Sequence, residues 1–125
     1  MIEINNLTTV SVDEEFLKRV AKKVLKNENR EEIDLSVVFT GEARMRKLNK
    51  KYRGKNKVTD VLSFGHGLNE IVVCLREIKK NAKIYNSTFK KELSRVLVHA
   101  ILHLSGHNHK EMQDKEEYYA KTIHN

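Results

Sequence analysis

The sequence predicts a small domain that mixes α-helices with β-strands. Three observations predict it. β-branched and aliphatic runs at residues 33–40, 58–64 and 70–75 read as strands, with a short one at 2–4. Elsewhere apolar residues recur at helical spacing, most strongly through Leu93, Val96, Leu97, Ala100, Ile101 and Leu104. No repeat, flexible linker or change of composition divides the 125 residues, so residues 1–125 read as one domain.

The elements follow in order. Ser11 with Glu14 three residues later reads as a capping box. Phe16, Leu17, Val20, Val24 and Leu25 then mark a helix ending near residues 27–29. After the strand at 33–40, Thr40 is placed to cap a second helix with Met45, Leu48 and Tyr52 on its apolar face. Arg53, Gly54, Lys55, Asn56 and Lys57 form a basic loop with a turn-forming glycine. The strands at 58–64 and 70–75 are separated by only a short break at Gly65, His66 and Gly67. That favours antiparallel pairing, because a parallel crossover needs a dozen or more residues. Ile78, Ala82 and Tyr85 suggest a third helix. Ser87 is a candidate cap for the strongest one, which is also apolar at Val98 and Leu102 and so is expected to be buried nearly all round. Gly106 ends it, and a last helix runs from about Glu111.

Composition narrows the function classes. Hydrophobic residues make up 39% and charged residues 33%, a soluble globular balance. No apolar run approaches the ~20 residues of a membrane span, and the first residues carry no secretory pattern. The single cysteine, Cys74, excludes an internal disulfide, fits a reducing cytoplasm and reads as a core residue. The net charge of +7 favours a polyanionic partner, most often nucleic acid; a generally basic protein is the alternative.

The buried helix carries His99 and His103. Four residues correspond to about 40° around a helix axis, so both imidazoles stand on one face, one turn apart. Gly106 lets the chain reverse and bring His109 back toward them. Three converging imidazoles read as a zinc site with an open fourth position, which marks a catalytic rather than a structural site. His107 is an alternative ligand, or a base beside one; the spacing favours His109. His66 and His124 read as surface residues. The spacing equals that of the metzincin pattern HExxHxxGxxH, but Ala100 stands where those proteases carry their general base. Peptide hydrolysis by that route is therefore not expected.

Two stretches resemble a known family. Residues 98–109, VHAILHLSGHNH, are similar to the motif HGxLHLxGYDH, and residues 48–64, LNKKYRGKNKVTDVLSF, are similar to LNxxYRxKDxPTDVLSFP. Both belong to the YbeY family of bacterial endoribonucleases. Asn69, Glu70 and Ile71 stand where the family has Gly-Asp-Ile. Val58 and Gly65 replace family prolines, Ala100 replaces a glycine, and His107 and Asn108 replace Tyr-Asp. The resemblance implies an α+β fold, with a small sheet of about four strands packed against the buried His-bearing helix and further flanking helices. It also implies a zinc-dependent, single-strand-specific endoribonuclease. Small-subunit rRNA would be its substrate, with roles in rRNA maturation and ribosome quality control. The ribosome and its assembly factors would be its partners.

Within that resemblance, His99, His103 and His109 are the expected ligands of one Zn²⁺ per chain. Arg53 is the expected phosphate clamp, since a guanidinium donates two parallel hydrogen bonds to phosphate. Lys47, Lys50, Lys51, Lys55 and Lys57 surround it and either track an RNA backbone or form a solvated basic face. Two other readings stay open: a ribosome assembly factor with a structural zinc, and another zinc hydrolase.

Overall fold

The computed structural model describes residues 1–65 and 67–124. The elements are β1 (Ile2–Asn6), α1 (Glu14–Asn27), β2 (Leu35–Thr40), α2 (Glu42–Arg53), β3 (Val61–Phe64), β4 (Glu70–Cys74), α3 (Leu75–Ile84), α4 (Phe89–Leu104) and α5 (His109–His124). One four-stranded sheet runs in the order β1-β2-β4-β3. β1 pairs with β2 and β2 with β4 in parallel, while β3 pairs antiparallel with β4. The fold is α+β, as the family resemblance implied, and the β3–β4 pairing is the one the short connection favoured. The surface placement expected of His66 and of the His124 side chain lies outside the described residues.

One face of the sheet is covered along its length and the other only over β4 and its neighbours, where α2 lies, while Glu3 and Asn5 of β1 are exposed there; strand alternation sorts the residues between the two faces. Leu35, Val37, Phe39, Ile71 and Val73 join α1 and α4 in the main core. Val72, Cys74 and Leu62 meet Met45 of α2 in a smaller core on the opposite face. Two covered faces explain why β4 reads as an unbroken apolar run. Cys74 is fully buried, and burial pushes its thiol up, which makes it an inert core residue.

α4 lies at the centre. Nine of its residues are buried, among them Val96, Val98, Ile101 and Leu102. Lys91, Arg95, His99 and His103 form a line at i, i+4, i+8 and i+12 that reaches solvent; beyond the first turn Leu104 is the one other residue of the helix that is not buried. Ala100 is buried, so its methyl group belongs to the core.

Several boundaries differ from expectation. The cap of α1 is Asp13, whose carboxylate accepts from the Phe16 N–H at 3.1 Å; Ser11 lies outside the helix. Glu14 and Glu15 share the first turn with it, where negative charge suits the helix dipole. Thr40 does not cap α2: it is the last residue of β2, paired with Cys74, and Gly41 takes the cap position. Thr88 caps α4, accepting from the Lys91 N–H at 3.1 Å. Ser87 is already used by the end of α3, where its N–H donates to the Ala82 carbonyl at 2.8 Å. β2 and β3 are shorter than their apolar runs because their partners end: Leu35 pairs with Ile2 and Val61 with Val73, near the limits of β1 and β4. α5 begins at His109 rather than Glu111, because Asn108 caps it. The Asn108 Oδ1 accepts from the Glu111 N–H at 2.9 Å, and a Glu111 carboxylate oxygen accepts from the Asn108 N–H at 3.2 Å. Tyr52, expected on the buried face of α2, is 56% exposed.

The cap assignment of α4 is testable. Thr88→Ala should lower the unfolding free energy by about 1 kcal/mol in urea titration, whereas Ser87→Ala should leave it nearly unchanged.

Candidate active site

The solvent-facing line of α4 forms one wall of a cleft of about 540 Å³. His99 and His103 stand on that wall. The edge strand β3 and the Thr59 and Asp60 that precede it form the floor, and Tyr52 and Arg53 at the end of α2 form the opposite wall. The cleft thus joins the two sequence motifs, which lie more than 30 residues apart in the chain.

Gly54 sets the position of Arg53. It ends α2 at φ +67, a left-handed conformation that an L side chain rarely adopts. Beneath the loop lies Asn49, which is 1% exposed. Its side-chain amide donates to the Lys57 carbonyl at 2.9 Å, and its backbone carbonyl accepts from the Lys55 N–H at 3.3 Å. The basic loop is therefore tied to the helix at both ends. Arg53, Lys47, Lys50, Lys51, Lys55 and Lys57 are exposed and have no ion-pair partner among the described residues.

His99 is oriented from α5. Its Nδ1 lies 2.5 Å from a Glu116 carboxylate oxygen. A carboxylate on Nδ1 keeps the proton there and leaves Nε2 as the nitrogen available to a cleft ligand. Glu116 was not singled out from the sequence, although a signal existed. It sits at helical spacing between Met112 and Tyr119, both buried, so it is an acid next to the apolar stripe of α5.

His109 does not line this cleft. It occupies the first turn of α5, exposed, where the Asn108–Glu111 capping box draws it into the helix. Among the described residues no three His, Cys, Asp or Glu side chains are grouped so as to hold a metal. In its donor chemistry the cleft suits a transition metal at two positions, His99 and His103; the third expected donor stands apart from them. His107 turns elsewhere. Its Nε2 meets a carboxylate oxygen of Glu28 at the C-terminus of α1, and its Nδ1 lies 3.7 Å from Glu111.

Glu28 is the second residue that sequence reasoning missed. Its side chain is 3% exposed, and besides His107 it accepts from Lys115 Nζ and the Tyr119 hydroxyl, each at 3.1 Å. Burial raises the Glu28 carboxyl, but the hydrogen bonds from His107, Lys115 and Tyr119 outweigh it and hold the group below its ordinary value. Burial and the same carboxylate push the Tyr119 hydroxyl up to about 12. The hub ties α1 to the α4–α5 turn.

Fold and cleft together define a class: a small α+β protein whose imidazoles face a basic arginine loop across an open groove. A family model described as Endoribonuclease YbeY matches residues 3–124, and the chain belongs to that family. It is 36% identical to Endoribonuclease YbeY of Thermosipho melanesiensis over 93% of this chain and 92% of that protein. It is 29% identical to the protein of the same name in Chlorobium luteolum over 98% of this chain and 97% of that one. A solution structure of a Thermotoga maritima protein superposes with a TM-score of 0.75 at 34% identity, covering 98% of this chain and 89% of that one. No helix among the described residues is long and apolar enough to cross a membrane.

The Glu28 hub makes stability depend on pH with a definite sign. A carboxyl held below its ordinary value contributes stability that is complete above about pH 4.5 and is lost as pH falls through the lower folded-state value. The stability difference between the parent and Glu28→Gln, read by urea unfolding, should therefore shrink as pH drops below about 4.5. A difference that persists unchanged into strong acid would contradict an ionised hub.

Proposed function

We propose that the chain, an endoribonuclease by family, cleaves single-stranded RNA in the maturation of small-subunit rRNA and in ribosome quality control. It works in the cytoplasm with the ribosome and its assembly factors as partners. The observation that carries this reading is the cleft itself. Arg53, exposed and unpaired among the described residues, faces the α4 histidines across an open groove whose rim is lysine-rich.

Each residue has a distinct task. The Arg53 guanidinium grips the scissile phosphodiester through two parallel hydrogen bonds. Lys47, Lys50, Lys51, Lys55 and Lys57 hold the flanking backbone. Glu116 keeps the proton of His99 on Nδ1 and turns Nε2 toward the groove. One zinc ion per chain is the proposed cofactor; His99 and His103 would hold it, and His109, which stands apart from them at the start of α5, is the third donor that the family motif implies. When bound, zinc supplies Lewis acidity toward a phosphoryl oxygen or a water. Ala100 offers no proton acceptor and its methyl group is buried, which argues against a metzincin-type peptidase.

Two variants test the reading by different routes. His99→Ala should abolish cleavage of a defined single-stranded RNA and lower both zinc content and melting temperature, because metal binding is coupled to folding. Arg53→Ala should slow cleavage by about tenfold or more while leaving zinc content and melting temperature unchanged. If both variants cleave like the parent, the activity is a contaminant and a non-catalytic assembly role is the better reading. Full zinc occupancy in His103→Ala would remove that residue from the metal site.

Salt provides a further measure. Each phosphate neutralised on a single strand contributes about −0.7 to the slope of log K against log salt. The parent should show a slope of several phosphates. Replacing Lys50, Lys51 and Lys55 together by alanine should flatten it by about 2.

A further inference from the structure

Tyr52 is the anomaly of the cleft. The helical step through Met45 and Leu48 assigns it to the buried face of α2, and Met45 is indeed fully buried. Yet the Tyr52 ring is 56% exposed and lines the groove beside Arg53. It meets Phe64 of β3 edge-to-face, with ring centroids 5.0 Å apart and planes at 70°. Phe64 thereby fixes the tilt of the ring. The Lys51 ammonium lies 5.3 Å from its centroid, on a flexible side chain that can yield. The phenol has no hydrogen-bond partner among the described residues, so nothing polar requires the ring to stand there. A braced, exposed aromatic between a phosphate clamp and a cation matches the way proteins hold unpaired nucleotides, with bases stacked on rings and phosphates held by Arg and Lys.

We propose that Tyr52, braced by Phe64, is a stacking platform for one unpaired nucleobase next to the phosphate gripped by Arg53. The proposal rests on the reading of the cleft as an RNA site and gives that site its preference for single strands. A base within a duplex has both faces covered by its neighbours and cannot reach the ring without unstacking. Because every base has a π-face, the platform selects for unpaired structure rather than for sequence.

The test is the binding of two labelled single strands of equal length and charge, a ten-nucleotide oligoadenylate and an abasic ribose-phosphate oligomer. Binding is read by fluorescence anisotropy, with strand length checked afterwards. The proteins are the parent, Tyr52→Leu, which keeps an apolar cover on Phe64 but removes the π-face, and Tyr52→Phe, which keeps the ring. The parent should prefer oligoadenylate. Tyr52→Leu should weaken that strand roughly five- to a hundredfold and leave the abasic oligomer unchanged, which also shows that the variant is folded. Tyr52→Phe should stay within about twofold of the parent. The proposal is overturned if Tyr52→Leu binds oligoadenylate like the parent, or if it weakens both strands equally, since the ring would then only brace the Arg53 loop. It is also overturned if the parent binds both strands equally, in which case the RNA reading stands without it. A parent that binds neither strand overturns the RNA reading as well.

Discussion

The burial of α4 is the constraint on which the rest of the molecule depends. A helix that packs against the sheet and α1 on one side and against α3 and α5 on others has little surface left for solvent. Here that remainder is a narrow line in which Lys91, Arg95, His99 and His103 follow one another at about 6 Å per step. Each polar side chain on such a helix must lie on this line or find a partner inside. Glu92 took the second course: it is 3% exposed and its carboxylate receives a two-pronged bond from Arg95, at 3.0 and 2.7 Å. The histidines took the first course. Their position facing the groove is thus a consequence of core packing, and the rigidity of that packing is what lets them face Arg53 in a defined way.

The elements around α4 supply what it cannot. α5 returns antiparallel to it and brings Glu116 to His99, so the orientation of one imidazole depends on a segment 17 residues further along. That return is held twice, by the left-handed Gly106 at φ +79 and by the bond between His107 and the α1 carboxylate Glu28. The family motif has tyrosine and aspartate where this chain has His107 and Asn108. The substitutions are coherent locally: asparagine is as good a helix cap as aspartate, and the imidazole finds a buried acid. From the opposite face of the sheet, α2 delivers Arg53 and Tyr52, with Asn49 binding the basic loop down.

What could be read in the sequence is whatever depends on neighbours a few residues away. Helical periodicity revealed α4 and its two histidines, β-branched runs revealed the four strands, and the short break after Phe64 implied the antiparallel β3–β4 pair. The two family motifs carry the fold and the family on their own, because each is a contiguous run of sequence. The Asn108–Glu111 capping box is legible in the same way, and it starts α5 two residues before the expected Glu111.

Other features depend on partners far away in the chain, and only the tertiary structure decided them. The parallel pairing of β1 with β2 and of β2 with β4 follows from how the crossovers pack, and no local pattern encodes it. Glu28 reads as one more surface acid at a helix end until His107, Lys115 and Tyr119 close over it from 79 to 91 residues away. Tyr52 obeys the helical period yet stays exposed, because the small core under α2 is filled by Met45, Leu62, Val72 and Cys74 before its turn is reached. His109 keeps the spacing of a third ligand, but a helix cap places it at the start of α5, away from the cleft that holds His99 and His103. Local sequence determined which residues carry the chemistry. Long-range packing, in which each side chain competes for a limited interior, decided which of them meet.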